Sequence, residues 1–133
     1  MHPAFESAYT MKAALKILAV DDNRSITDAM PFIFAAPRYE LTTANDGNRA
    51  LEKLEATPSE FDVIIVDQKM PLLTGLELVQ GIRERGILAK IMVLSAHLSP
   101  AIREAYERMG VQVVMAKPFD IGELRVAVNQ LAA

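Results

Sequence analysis

Val63-Ile64-Ile65-Val66-Asp67-Gln68-Lys69-Met70-Pro71 decides the fold: four β-branched apolar residues end abruptly on a carboxylate. The run is too short for a helix, and its apolar character is continuous rather than alternating. That pattern suits a strand buried on both faces of a parallel sheet. Working outward, runs of the same kind recur at Ile17 to Val20, Ile91 to Leu94 and Val111 to Ala116. Tyr39 to Ala44 is a weaker run whose threonines tolerate water, so it reads as an edge strand.

Helical patterns fill the gaps between these five runs. Leu51 and Leu54 mark a short helix between the turn signal Asn45-Asp46-Gly47 and Pro58. Leu76, Val79 and Ile82 share a face that stops near Gly86. Ser99 is an N-cap with Pro100 at the first helical position, and Ile102, Ala105, Tyr106 and Met109 follow at helical spacing up to Gly110. Asp120 caps a last helix through Leu124, Val128 and Leu131. A first helix, about Arg24 to Ala36, contains Pro31, which predicts a kink. Phe32, Phe34, Tyr39 and the methionines Met70, Met92, Met109 and Met115 are expected to be packing residues. Five strand–helix repeats imply an α/β, doubly wound five-stranded parallel sheet with right-handed crossovers.

Composition narrows the class. At 133 residues and 51% hydrophobic, one domain with a sizeable core is expected. Residues 1–14 show no clear period and are expected to form a flexible extension ahead of a domain at 15–133. The chain has no cysteine, which excludes disulfides and cysteine–zinc sites, and its two histidines make a zinc site a poor fit. A net charge of −3 argues against direct nucleic-acid binding, which needs a basic patch. No apolar run approaches the roughly 20 residues of a membrane span, and no basic segment followed by an apolar run opens the chain. A cytoplasmic domain is expected.

Ligands of doubly wound sheets bind at the carboxyl ends of the strands. Asp21 and Asp22 follow the first run, Asp67 the third, Ser95 the fourth and Lys117 the fifth. Three converging carboxylates repel one another unless a cation neutralises them. Oxygen ligands suit a hard divalent ion, with Mg²⁺ the usual choice beside phosphate. A carboxylate near such an ion, flanked by an ammonium and a hydroxyl, is suited to accept a phosphoryl group as an acyl phosphate. Singly, each residue has a plainer reading: Asp21, Asp22 and Ser95 as caps, Asp67 as a turn residue, Lys117 as a solvated charge. Their joint placement is what favours a site.

In this order, Asp21-Asp22, Asp67 with Gln68-Lys69-Met70-Pro71 and Gly75, Ser95-Ala96, and Lys117-Pro118-Phe119 resemble the CheY-like receiver domain of two-component response regulators. The resemblance covers about Lys16 to Leu131. It implies a flavodoxin-like fold that takes phosphate from a phosphohistidine on a sensor histidine kinase or histidine phosphotransfer protein. It implies Asp67 as phosphoacceptor, with Lys117 and Ser95 contacting the phosphoryl oxygens. It implies Mg²⁺ on Asp22, Asp67 and the backbone carbonyl of Lys69, with Asp21 acting mainly through bound water. The Lys117–Pro118 bond would match the family's cis peptide. By the same resemblance the last two helices are the expected face for a homodimer or a downstream protein. With nothing after the last helix, a stand-alone receiver or isolated domain is expected, with output through protein contacts.

The resemblance also makes the chain a phosphoacceptor that assists its own phosphorylation and dephosphorylation, rather than an enzyme. The family's aromatic residue three positions before the lysine is Val114 here, so coupling to the outer face is expected to be weaker or differently routed. Lys69 and His97, each two residues beyond a site residue, are expected to set the phosphate lifetime. A Lys69→Asn, His97→Ala variant should therefore lose its phosphoryl group at a changed rate in a single-turnover decay, and an unchanged rate would remove that role. A pseudo-receiver that binds a partner without phosphorylation is the alternative reading. An aspartyl phosphatase is disfavoured because Lys69 stands where a second aspartate is needed. A nucleotide-binding module is disfavoured because no Walker loop or GxGxxG is present.

Overall fold

The structure, a computed structural model, describes residues 13–133. Most of the expected extension at 1–14 therefore lies outside the described residues. Strands and helices alternate as β1 (Leu15–Val20), α1 (Arg24–Ile33), β2 (Tyr39–Ala44), α2 (Gly47–Ala56), β3 (Val63–Asp67), α3 (Gly75–Glu84), β4 (Lys90–Ser95), α4 (Pro100–Arg108), β5 (Val113–Ala116) and α5 (Ile121–Ala132). All strand pairs are parallel, in the order β2-β1-β3-β4-β5. The chain therefore reverses its direction of winding between β1 and β3, which opens a crevice at their carboxyl ends.

The continuous apolar runs are explained by burial on both faces. Leu18, Val20, Ile64, Val66, Ile91 and Val93 pack under α2, α3 and α4, with Leu54, Leu78, Ile82 and Tyr106 from those helices. Their strand neighbours Ile17, Ala19, Val63, Ile65, Met92 and Leu94 face the other way, against Met30, Ile33 and Phe34 of α1 and Leu124, Val128 and Leu131 of α5. At about 25 cal/mol per Å² of apolar surface, each such side chain stabilises the fold by about 1.5–3 kcal/mol. Helix starts follow the polar caps: Asn23, Asp46, Thr74, Ser99 and Asp120 each accept a backbone N–H of the first turn. Thr74 and Glu77 complete a reciprocal capping box. Gly86 and Gly110, at φ 71° and 76°, end α3 and its counterpart α4 in the left-handed conformation that glycine adopts without strain.

Three expectations need correction. The run at 111–116 is not doubly buried: β5 spans only Val113–Ala116 and is half-exposed, because it is an edge strand of the sheet. The helix bearing Pro31 stops at Ile33 rather than near Ala36. Phe32 is not a packing residue. The buried stripe of α1 is Thr27, Met30 and Ile33, and Phe32 points away from it, 85% exposed. Phe34 and Tyr39 do pack, ring edge to face at 5.1 Å between centroids. Met70 and Met92 are buried, and Met109 and Met115 pack at the edges of the two cores.

Candidate functional site

The register of the central strands brings the polar residues together. Val20 pairs with Val66 across β1 and β3, so Asp21 and Asp67 leave the sheet side by side. Asp67 pairs with Leu94, and Ser95 with Ala116, which carries Ser95 and Lys117 to the same edge. The outcome is one constellation. Asp21, Asp22 and Asp67 each offer a carboxylate oxygen within 4.8 Å of the others. The Lys117 ammonium donates to Asp21 Oδ2 at 2.9 Å and to Asp67 Oδ1 at 3.0 Å. The Asp21 and Asp67 side chains are only 3% and 6% exposed, while Asp22 lies at the surface.

This burial has electrostatic consequences. Desolvation pushes the Asp67 carboxyl up from 3.8 to about 6; the Lys117 hydrogen bond opposes the shift and the Asp21 charge adds to it. Burial works against the Lys117 ammonium, but its hydrogen bonds to Asp21 and Asp67 outweigh that and raise its pKa. One cation thus holds two buried carboxylates, and the pocket retains surplus negative charge.

The donor set fits a hard divalent cation. Both oxygens of Asp21 are already engaged, Oδ1 by the Asn23 backbone N–H at 2.9 Å and Oδ2 by Lys117. Asp67 accepts from Lys117 through Oδ1 and also receives the Lys69 backbone N–H. Oxygens of Asp67 and exposed Asp22 are therefore available for direct ligation, and Asp21 is better placed to act through water. Lys69 contributes a backbone N–H that lowers the Asp67 carboxyl, and its side chain is exposed.

Ser95 is buried, but its hydroxyl donates to the His97 carbonyl at 2.6 Å and not to the carboxylates. The His97 side chain is exposed. The Lys117–Pro118 peptide is cis. Gly75 sits where a Cβ would meet the Asp67 carbonyl at 2.6 Å and the Gln68 Cα at 2.7 Å, so only glycine lets α3 start this close behind β3. In the intervening loop Leu72 adopts φ 70° and is 89% exposed. One residue behind the carboxylate escaped the sequence reading. Tyr106 of α4 places its hydroxyl 2.9 Å from that same Cβ position. Its helical spacing places it on the repeating face of that helix, which is its buried side, and no motif signals where its hydroxyl ends.

Comparison with known proteins agrees with this geometry. The family model for the response regulator receiver domain matches residues 17–129. The alkaline phosphatase synthesis transcriptional regulatory protein PhoP of Bacillus subtilis is 30% identical over 116 residues, 87% of this chain and 48% of that protein. Response regulator MprA of Mycobacterium leprae is 33% identical over 117 residues, 88% of this chain and 50% of that protein. The chain spans about half the length of these curated relatives. Among solved structures, the chemotaxis protein CheY4 of Vibrio cholerae aligns with a TM-score of 0.81 at 33% identity, over 90% of this chain and 99% of that one.

Proposed function

Since the chain belongs to the response regulator receiver domain family, with its flavodoxin-like (βα)5 fold, we propose that residues 15–133 form a phosphoacceptor switch whose acceptor is Asp67. The observation that supports this most directly is the Lys117 ammonium bridging Asp21 and Asp67 at 2.9 and 3.0 Å beside the third carboxylate, Asp22. Receiver domains of this family work with kinases and downstream effectors. The donor proposed here is a phosphohistidine on a sensor histidine kinase or histidine phosphotransfer protein, in the cytoplasm. The output is a downstream protein, met through the face of the last two helices, α4 and α5, that is also the candidate homodimer surface. Among the described residues no helix is long and apolar enough to cross a membrane.

In the proposed transfer the Asp67 carboxylate attacks phosphorus, the phosphorus–nitrogen bond of the donor breaks, and the imidazole nitrogen keeps the electron pair and takes a proton. Asp22, Asp67 and the Lys69 carbonyl would hold Mg²⁺, with Asp21 reaching it through water; bound there, the ion neutralises charge on the transferring oxygens. Lys117 already lies against Asp67 and is positioned to pair with a phosphoryl oxygen. Ser95 must leave the His97 carbonyl to donate to another. Lys69 and His97, both exposed, are the residues proposed to govern how water reaches the acyl phosphate.

Incubation with acetyl phosphate and Mg²⁺, followed by intact mass, tests the proposal. The expected result is a gain of one phosphoryl group that disappears in Asp67→Asn and in the absence of Mg²⁺. No gain from acetyl phosphate or from any histidine kinase would overturn it in favour of the pseudo-receiver, which Val114 on β5 keeps in contention.

A further inference from the structure

Among the described residues Tyr106 heads the fully buried side chains by size and is 0% exposed. It is also the one buried residue of α4. The helix is thus anchored in the core by a single side chain, flanked by partly buried Ile102 and Met109. Packing alone would be served by a phenylalanine. The hydroxyl is the unexplained part.

That hydroxyl lies against the backbone of the acceptor loop. A Cβ on Gly75 would sit 2.9 Å from Tyr106 Oη and 2.6 Å from the Asp67 carbonyl oxygen, so the absent side chain at position 75 makes the room that Oη occupies. Oη has no hydrogen-bond partner among the described residues, and neither has Gln68 Oε1, one residue beyond the acceptor. A buried hydroxyl without a partner is unfavourable, so any rearrangement that supplies one is favoured. The Asp67 charge is felt at the ring: after burial, it is the second influence pushing the phenol above its ordinary range.

A second bond ties the same helix to the site. Ser95 Oγ holds the His97 carbonyl at 2.6 Å, which fixes the loop leading to Ser99, the N-cap of α4. If Ser95 turns toward an oxygen on Asp67, that bond is lost and the start of α4 is released while Tyr106 still packs against the loop behind the acceptor. Val114, half-buried on β5, is a short apolar side chain with no polar atom to serve this purpose.

We propose that Tyr106 is a positioning residue whose hydroxyl, packed unpartnered in the gap at Gly75, gains a partner when the Asp67–Gly75 loop rearranges, so that a change at the acceptor is passed to the α4 surface through this side chain rather than through β5. The proposal rests on the phosphoacceptor reading above. Two discrete arrangements of α4, with Oη unpartnered in one and partnered in the other, would be the equilibrium that phosphorylation biases.

Amide spectra of wild type, Tyr106→Phe and Tyr106→Leu, with Mg²⁺ and then beryllofluoride as the phosphoryl mimic, test it. In wild type, amides of residues 100–108 should shift together with those beside Asp67. Tyr106→Phe should melt no lower than wild type and keep the shifts beside Asp67, while its α4 shifts fall at least twofold. Tyr106→Leu should lose them further. Equal α4 shifts in wild type and Tyr106→Phe overturn the proposal. So does a Tyr106→Phe variant whose responses beside Asp67 and along α4 weaken equally with its melting temperature, because the ring would then be packing only. If wild type itself shows no response beside Asp67, the phosphoacceptor reading fails and the relay with it. Fluorine spectra of wild type carrying 3-fluorotyrosine give an independent check that needs no folded variant: the resonance from the core under α4 must move on adding beryllofluoride, and a still resonance overturns the relay.

Discussion

Without metal, an Asp67→Asn variant is expected to melt about 10 °C above the wild-type chain near pH 7. The two should melt together near pH 4. The reason is burial. The Asp67 side chain is 6% exposed, and desolvation raises its carboxyl from 3.8 to about 6 in the folded protein. A raised carboxyl binds its proton more tightly folded than unfolded. Its contribution to stability is therefore fully present below the unfolded value and is lost as pH rises through about 6. Above that range, holding the ionised group in place costs about 3 kcal/mol. Asparagine fills the same space and never ionises, so it escapes this loss. The gap between the two proteins should widen from pH 4 to 7 and then level off. Mg²⁺ should narrow it, because the ion binds the folded wild-type carboxylates and stabilises by mass action. Thermal melts from pH 4 to 8 in a chelator, repeated with Mg²⁺, decide the matter. A gap of constant size across that range would show that the carboxylate carries no such penalty.

The same burial explains why so much of the site was legible in the sequence. Branched apolar runs that end on a charged residue mark the point where a buried strand leaves the core. Asp21, Asp67 and Lys117 were each identified at such a point, and the parallel register brings them within hydrogen-bond reach. Helix caps were equally legible at Ser99 and Asp120, because capping is decided within one turn of chain. What was not legible depends on distant neighbours. The apolar run of β5 looks the same whether the strand is central or at an edge, and only the strand order settles which. Ser95 was recognised, but its present bond to the His97 carbonyl depends on the path of the loop rather than on residue type. Tyr106 is legible only as one position of a helical face, because helical spacing says nothing of where the tip of a long side chain ends. Phe32 was misread for a related reason: an aromatic residue beside Ile33 and Phe34 suggests core, yet the first helix turns it outward.

Lys117→Met is expected to have the largest effect on stability of any single substitution at this edge of the sheet. The Lys117 side chain is itself only 18% exposed, and its ammonium donates to both Asp21 and Asp67. Methionine keeps much of the aliphatic stem but leaves two carboxylates facing one another in a nearly dry pocket. Removing one partner of a buried ion pair costs about 3–5 kcal/mol, since the remaining charge stays buried and uncompensated. For a domain of this size that lowers the melting temperature by about 10–20 °C at neutral pH without metal. The sign of the pH dependence follows from the carboxylates. With their cation gone, the folded state binds protons more tightly than the unfolded state over a wider range, so the deficit should shrink as pH falls toward 4. Phosphoryl transfer from acetyl phosphate should be lost as well, because among the described residues no other ammonium lies against Asp67. A second substitution separates the electrostatic loss from a packing loss. In Lys117→Met, Asp67→Asn the stranded pair no longer exists, so the double variant should be more stable than Lys117→Met alone. Chemical denaturation of all four proteins at pH 7 in a chelator gives the coupling directly. If the effects of the two substitutions simply add, the ammonium is not what holds these carboxylates in the fold, and the bridge at 2.9 and 3.0 Å is incidental to stability.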